Sequence, residues 1–320
     1  MKVVLRVAAV VLLLMAVAGL TFYENPIWVS DQQIRFHLWQ EHVESKYVDA
    51  GGYRLHYFEA KPTDESAGTP LVLVHGLGSR GEDWAALIPK LAAQGFHVYA
   101  PDLLGYGRSP KPDVNYSIAL QETTVVQFLQ AVRVAHADVG GWSMGGWVAM
   151  KLTLDHPEMV DRLVIYDSAG IYFPTTFDAA SLFVPSDVDG VRRLMAILSP
   201  KPPALPKFAE EAALRKLQRN GWVIHRSLAA MQNGRDLMDF KLRNISRPTL
   251  VVWGSADELL PLSLGESIHQ RIPGSVLDVM DGCGHLAPAE CWKPVLDATV
   301  TFLKAEPPMQ GGEKVYPQEK

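Results

Sequence analysis

The chain is short of cysteine, of clustered cations and of the usual metal- and phosphate-binding signatures. Two cysteines in 320 residues, Cys283 and Cys291, cannot build a disulfide framework. They are either reduced or joined to each other, and the sequence leaves both open. No H-E-x-x-H, C-x-x-C or EF-hand pattern occurs, so no metal is implied, and no cofactor is expected. The one glycine cluster of phosphate-loop appearance lacks the Lys-Ser/Thr that such a loop uses. With 30 Lys and Arg against 35 Asp and Glu, a net charge of −5 and no basic stripe, nucleic acid is not a partner. Internal repeats are also missing.

What is present is apolar mass. At 48% hydrophobic and 20% charged, the chain can bury a sizeable core without requiring two independent domains. Its N-terminus differs in kind. Lys2 and Arg6 precede an uncharged run of 17 residues, Val7 to Tyr23, at the lower edge of the ~17–25 that span a bilayer. Two readings stand. Ala16-Val17-Ala18 offers the small-residue pattern of a cleaved signal peptide, which would leave a secreted or periplasmic protein. The preferred reading is an uncleaved anchor over residues 1–23, with Phe22, Tyr23 and Trp28 at the far interface. Basic residues on its N-terminal side orient the main domain away from the cytoplasm. In residues 24–46, Ile34, Leu38 and Trp39 recur at helical spacing, as suits a membrane-proximal or domain-docking helix.

From Tyr47 onward β-rich and helical segments alternate. Arg54 to Glu59 reads as an early antiparallel strand. Leu71 to Val74, Phe96 to Ala100, Ala137 to Val139, Arg162 to Tyr166, Thr249 to Trp253 and Val276 to Met280 read as buried strands. Helical periods cover Trp84 to Ala93, Ser117 to Ala131 and Trp292 to Lys304. This alternation predicts a mostly parallel central sheet with helices on both faces. About 80 residues separate Tyr166 from Thr249, far more than a crossover of ~10–15 requires. The segment 171–246 is too apolar for a linker and predicts an inserted helical cap, between core segments 47–170 and 247–304. Tyr172, Phe173, Phe177 and Phe183 are its candidates for an acyl pocket. The Pro- and Gly-containing tail, 305–320, reads as flexible.

The chemistry centres on Gly141-Trp142-Ser143-Met144-Gly145, which follows a strand and opens a helix. That context marks a nucleophile elbow rather than a chance Gly-Ser turn. Gly141 and Gly145 are expected to supply missing volume and a permissive φ. A serine hydroxyl needs a base held in one tautomer by an acid. Asp257 and His285 each come just past a late strand, and the order Ser143, Asp257, His285 is that of a G-x-S-x-G hydrolase. Glu258 is the rival acid. His75 is read as loop-shaping and Asp102 as a turn-forming carboxylate. The backbone N–H groups of Leu77 and Met144 are placed to stabilise a developing oxyanion.

Taken together, His75-Gly76-Leu77-Gly78, the Asp102 to Ser109 turn, Gly141 to Gly146, Trp253 to Asp257 and Gly282 to His285 resemble the α/β-hydrolase family over about residues 50 to 304. Within it the chain looks most like membrane-anchored, monoacylglycerol-lipase-like serine esterases, which share the anchor, the chain order and a Cys-Gly-His loop. The resemblance implies an α/β-hydrolase fold and hydrolysis of hydrophobic carboxylic esters, such as a monoacylglycerol, through an acyl-enzyme. Ser143, Asp257, His285, Leu77 and Met144 carry over to the family's positions, while the cap transfers no contact residue. Dehalogenases and epoxide hydrolases carry aspartate at the elbow, so Ser143 speaks against both. The alternatives are a carbon–carbon bond hydrolase of the ring-cleavage-product type and a catalytically silent binding module. Oligomeric state is not legible.

Overall fold

The computed structural model describes residues 2–62, 67–174 and 178–317. Its strands are β1 (Glu44–Ala50), β2 (Tyr53–Ala60), β3 (Thr69–Val74), β4 (Phe96–Pro101), β5 (Ala137–Trp142), β6 (Val160–Tyr166), β7 (Thr249–Gly254), β8 (Val276–Met280) and β9 (Glu313–Tyr316). They form one sheet in the order β1-β2-β4-β3-β5-β6-β7-β8-β9. β2 pairs antiparallel with β1 and β4, and every other pairing is parallel. The expected α/β-hydrolase architecture is therefore present.

The helices are α1 (Lys2–Glu24), α2 (Pro26–Gln40), α3 (Ile88–Ala93), α4 (Ile118–Ala131), α5 (Met144–Asp155), α6 (Ala179–Phe183), α7 (Val188–Leu198), α8 (Lys207–Arg219), α9 (Gly221–Gln232), α10 (Leu262–Arg271), α11 (Ala287–Glu290) and α12 (Trp292–Lys304). Strand alternation sorts the core into two layers. On β3, Val72 and Val74 enter one layer, with Phe128 of α4, Val148 of α5 and Ile268 of α10. Leu71 and Leu73 enter the other, with Ile88 of α3, Phe302 of α12 and Leu38 of α2. All four β3 side chains are fully buried, each contributing ~1.5–3 kcal/mol. The cap helices α6 to α9 extend the first layer through Leu182, Leu194 and Val223.

The chain turns from β3 outward to β4, then crosses back to β5 on β3's other side. Loops leaving the carboxyl ends of β3 and β5 therefore diverge and open a crevice, where ligands bind in open α/β sheets.

Three expectations need correction. The helix foreseen over Trp84 to Ala93 splits into a 3₁₀ turn, Gly81–Trp84, and α3. Pro89 sits in the first turn of α3, where it has no N–H to continue an upstream ladder. The membrane-proximal segment does not run to residue 46, because β1 begins at Glu44 as an edge strand against β2. The tail is not wholly flexible: β9 joins the sheet in parallel register with β8 and buries Tyr316. Arg162 holds the approach to it, donating to the carbonyls of Phe302 at 3.0 Å and Ala305 at 3.0 Å.

α1 is a 23-residue helix, or ~34 Å at 1.5 Å per residue, against a hydrocarbon core of ~30 Å. It is long and apolar enough to cross a membrane. The same length and composition suit a signal sequence.

Asp138, on β5, is 2% exposed. Burial pushes its carboxyl up to about 7, partly opposed by Arg162. An acid raised in the folded state binds its proton more tightly than the unfolded chain does, so stability falls as pH rises from ~4 to about 7. Asp138→Asn should remove that slope. By denaturant titration its unfolding free energy should match wild type near pH 4 and exceed it above pH 7, by on the order of 2–4 kcal/mol. A difference independent of pH would contradict this.

Candidate active site

β5 ends at Trp142 and α5 starts at Met144, leaving Ser143 alone in the turn. A Cβ on Gly141 would lie 2.3 Å from the Gly145 carbonyl oxygen, and one on Gly145 would lie 2.2 Å from that of Val74. The glycines thus supply volume, as expected. The unusual φ falls on the serine itself, at 57° with ψ −120°, and not on glycine. Such a dihedral costs ~1–3 kcal/mol in a non-glycine residue and persists only when neighbours over-determine it. Here the Ser143 N–H donates to the Tyr166 carbonyl at 2.9 Å. The Ser143 carbonyl accepts from Gly146 at 3.0 Å and from Ala169 at 3.2 Å.

Asp257 follows β7 and His285 follows β8. The His285 Nδ1 is 2.8 Å from Asp257 Oδ2, and both residues are buried. Asp257 Oδ1 accepts from the backbone N–H groups of Leu259 and Leu260, each at 2.9 Å. With the carboxylate as acceptor, the shared proton sits on Nδ1 and Nε2 is the basic nitrogen of the neutral ring. Glu258, the rival acid, is exposed. Trp142 ties the two halves together, its indole N–H donating to the His285 carbonyl at 2.8 Å.

Ser143 and His285 line one cavity of about 230 Å³, together with Gly76 and Leu77 from the loop after β3. Met144 stands at the first position of α5 beside the serine. The cap supplies Phe183, Leu194, Leu198 and Ile224 to the cavity lining, with Lys216 and Asn220 as polar members. Of the acyl-pocket candidates among the described residues, only Phe183 lines the cavity. Tyr172 is 71% exposed, its backbone N–H held by Asp239 at 2.9 Å on the outside of the cap. Phe173 packs against the main core instead. Phe177 lies outside the described residues.

His75 and Asp102 act as the sequence suggests. His75 is fully buried, its Nδ1 2.8 Å from the Gly76 carbonyl and its Nε2 accepting from Leu103 at 3.0 Å. Burial pushes this imidazole below its ordinary value, and the neutral ring staples the Leu77 loop to the next one. Asp102 accepts from the backbone of Gly81 at 2.7 Å and of Arg108 at 2.8 Å.

One feature was not anticipated, and a second had been left open. Asp167, after β6, has φ 43° and is fully buried. Its Oδ1 accepts from Gly254 at 2.7 Å, while burial and the neighbouring Asp257 raise its carboxyl well above the usual range. The signal was an aspartate ending an apolar strand, in Ile165-Tyr166-Asp167. The second is the Cys283–Cys291 disulfide, which resolves the open pairing and brackets His285.

Comparison with known proteins agrees with this fold. Residues 71–298 match the model of the alpha/beta hydrolase family. The chain is 33% identical over 236 residues to 2-hydroxymuconate semialdehyde hydrolase of Pseudomonas sp. (strain CF600), covering 69% of this chain and 82% of that protein. It is 27% identical over 303 residues to Lipase 3 of Moraxella sp. (strain TA144), covering 90% and 94%. Among solved structures, a membrane phospholipase A described as a bacterial virulence factor matches with a TM-score of 0.78 at 24% identity, covering 95% and 98%. At that identity the likeness is one of fold.

The disulfide closes a short loop, and cross-links of this span contribute ~2–3 kcal/mol by restricting the unfolded chain. Replacing both cysteines, Cys283→Ser with Cys291→Ser, should lower stability by about that amount and leave no further response to reductant. Denaturant titration with and without dithiothreitol checks it. An unchanged midpoint would show that the loop holds without the bridge.

Proposed function

We propose that this chain, which belongs to the alpha/beta hydrolase family, is a serine hydrolase that cleaves carboxylic esters of hydrophobic substrates. One observation carries the reading. Ser143 and His285 share the wall of a largely apolar cavity, and His285 is backed by a buried, hydrogen-bonded Asp257. In this mechanism the Ser143 Oγ attacks the ester carbonyl while His285 Nε2 takes its proton. Asp257 holds the ring and stabilises the imidazolium. The N–H groups of Leu77 and Met144 receive the tetrahedral oxyanion. His285 then protonates the departing alkoxide, and water, deprotonated by the same nitrogen, releases the acid.

The apolar cap lining supports a hydrophobic acyl group, and the polar members Lys216 and Asn220 support a substrate with one polar end, such as a monoacylglycerol. The match to a lipase covers 90% of the chain. We read α1 as a membrane anchor with the catalytic domain on the non-cytoplasmic side. Lys2 and Arg6 at its start support that orientation, and so does a disulfide, which persists in oxidising compartments. The second reading is a carbon–carbon bond hydrolase, favoured by the 33% identity to 2-hydroxymuconate semialdehyde hydrolase. That match covers 69% of the chain.

Ser143→Ala should lower kcat on a p-nitrophenyl ester by ~10³-fold or more and abolish labelling by a fluorophosphonate probe. Retained turnover would remove the nucleophile assignment. Faster cleavage of a vinylogous diketone than of any ester in a graded chain-length series would favour the second reading.

A further inference from the structure

The membrane-proximal helix reaches the loop after β3 through two ion pairs, Arg35–Glu82 and Asp31–Arg80, and Glu82 also pairs with Arg80 at 2.9 Å. Asp31 of α2 meets the Arg80 guanidinium as a fork, with Nη2 2.6 Å from Oδ1 and Nη1 3.1 Å from Oδ2. The two side chains are 15% and 17% exposed. Arg80 lies three residues past Leu77, in the same loop. Its backbone N–H donates to Asp83 Oδ2 at 3.1 Å, and the Ser79 hydroxyl donates to that oxygen at 2.6 Å. Leu77, Ser79 and Asp83 all line the cavity. Asp31 Oδ1 is also 3.6 Å from the Nζ of Lys216, which stands on α8 in the cap and also lines the cavity.

We propose that Asp31 is a positioning residue, setting the Leu77 loop and cap helix α8 in register at the cavity. α2 then braces the elements that line the active site and is not a mere spacer before the catalytic domain. This rests on the reading of Ser143, His285 and Leu77 given above. The physical basis is tolerance: transition-state donors act only within a fraction of an ångström of the oxyanion, and a misplacement of 1 Å can lower the rate ~10²-fold. A largely buried bidentate pair transmits position where a solvated one would not. The helix has other attachments. Leu38 is 1% exposed, and Arg35 donates to Glu82 at 2.5 Å. Neutralising Asp31 should therefore leave α2 docked while freeing the loop and the cap to drift.

The test uses the full-length chain in detergent with a water-soluble short-chain p-nitrophenyl ester, so that delivery from a bilayer plays no part. Asp31→Asn is expected to lower kcat ~10-fold with KM changed less than ~3-fold. The fraction of molecules labelled at saturation by a fluorophosphonate should stay that of wild type while labelling slows. Asp31→Glu, which keeps the charge, should recover most of kcat. The proposal is overturned if Asp31→Asn keeps kcat within twofold, if only KM moves, if Glu gives no rescue, or if lost kcat tracks a lost labelled fraction. Ser143→Ala in the same assay separates the two claims. If it keeps turnover, the site reading fails; if it is silent while Asp31→Asn matches wild type, only the positioning role fails.

Discussion

A close approach of backbone to backbone governs this structure: Gly145 against the carbonyl of Val74, where the turn at Ser143 presses onto the end of β3. The gap leaves no room for a Cβ. That contact brings the loop after β3 and the start of α5 side by side, with Gly76 also so near that an added Cβ would sit 3.1 Å from the Ser143 Cβ. Two loops separated by some 65 residues in sequence are thereby presented to one small volume. The strained serine dihedral follows from the same contact. A strand and a helix joined by one residue, at this separation, leave that residue no ordinary conformation.

The sheet's carboxyl edge also sorts its acids. Asp257 is surrounded by three donors, two backbone N–H groups and an imidazole. Asp167, close by, has one N–H from Gly254 and full burial. Its carboxyl is pushed up by that burial and by the charge next door. The neutral form of Asp167 suits this place, because two adjacent carboxylates in a dry site would repel. Donor count, not sequence position, thus separates the acid that faces the histidine from the one that stays behind it.

Legibility in the sequence followed burial. Leu71 to Val74 and Leu250 to Trp253 are fully apolar because both sheet faces are covered, and such runs are readable without a partner. The elbow was readable because two glycines and a serine sit at a fixed spacing between a strand and a helix. β9 was not, since Glu313, Lys314 and Val315 are exposed and Tyr316 alone carries the burial. An edge strand of four residues gives no periodicity to detect. Tyr172 misled for the opposite reason: an aromatic in a cap segment is as compatible with its outer surface as with its inner one. The Asp31–Arg80 pair joins residues 49 apart, and charge pairing at that range leaves no local trace.

The same helix that lines the cavity also touches α1. Phe208 on α8 packs its ring against Phe22 at 5.6 Å and Tyr23 at 5.2 Å, at the end of α1, while Lys216 and Leu217 farther along α8 line the cavity. α2 lies alongside α8 and is pinned to the loop after β3. If α1 spans a bilayer, α8 is tied to it through those three rings and, by way of α2, through the ion pairs of Asp31 and Arg35 to the loop after β3, and not by a flexible linker. A substrate that partitions into lipid would then meet a cavity at constant height and angle. A domain on a loose tether would have to find that geometry anew at each encounter, paying orientational entropy that the docked arrangement has already absorbed in folding.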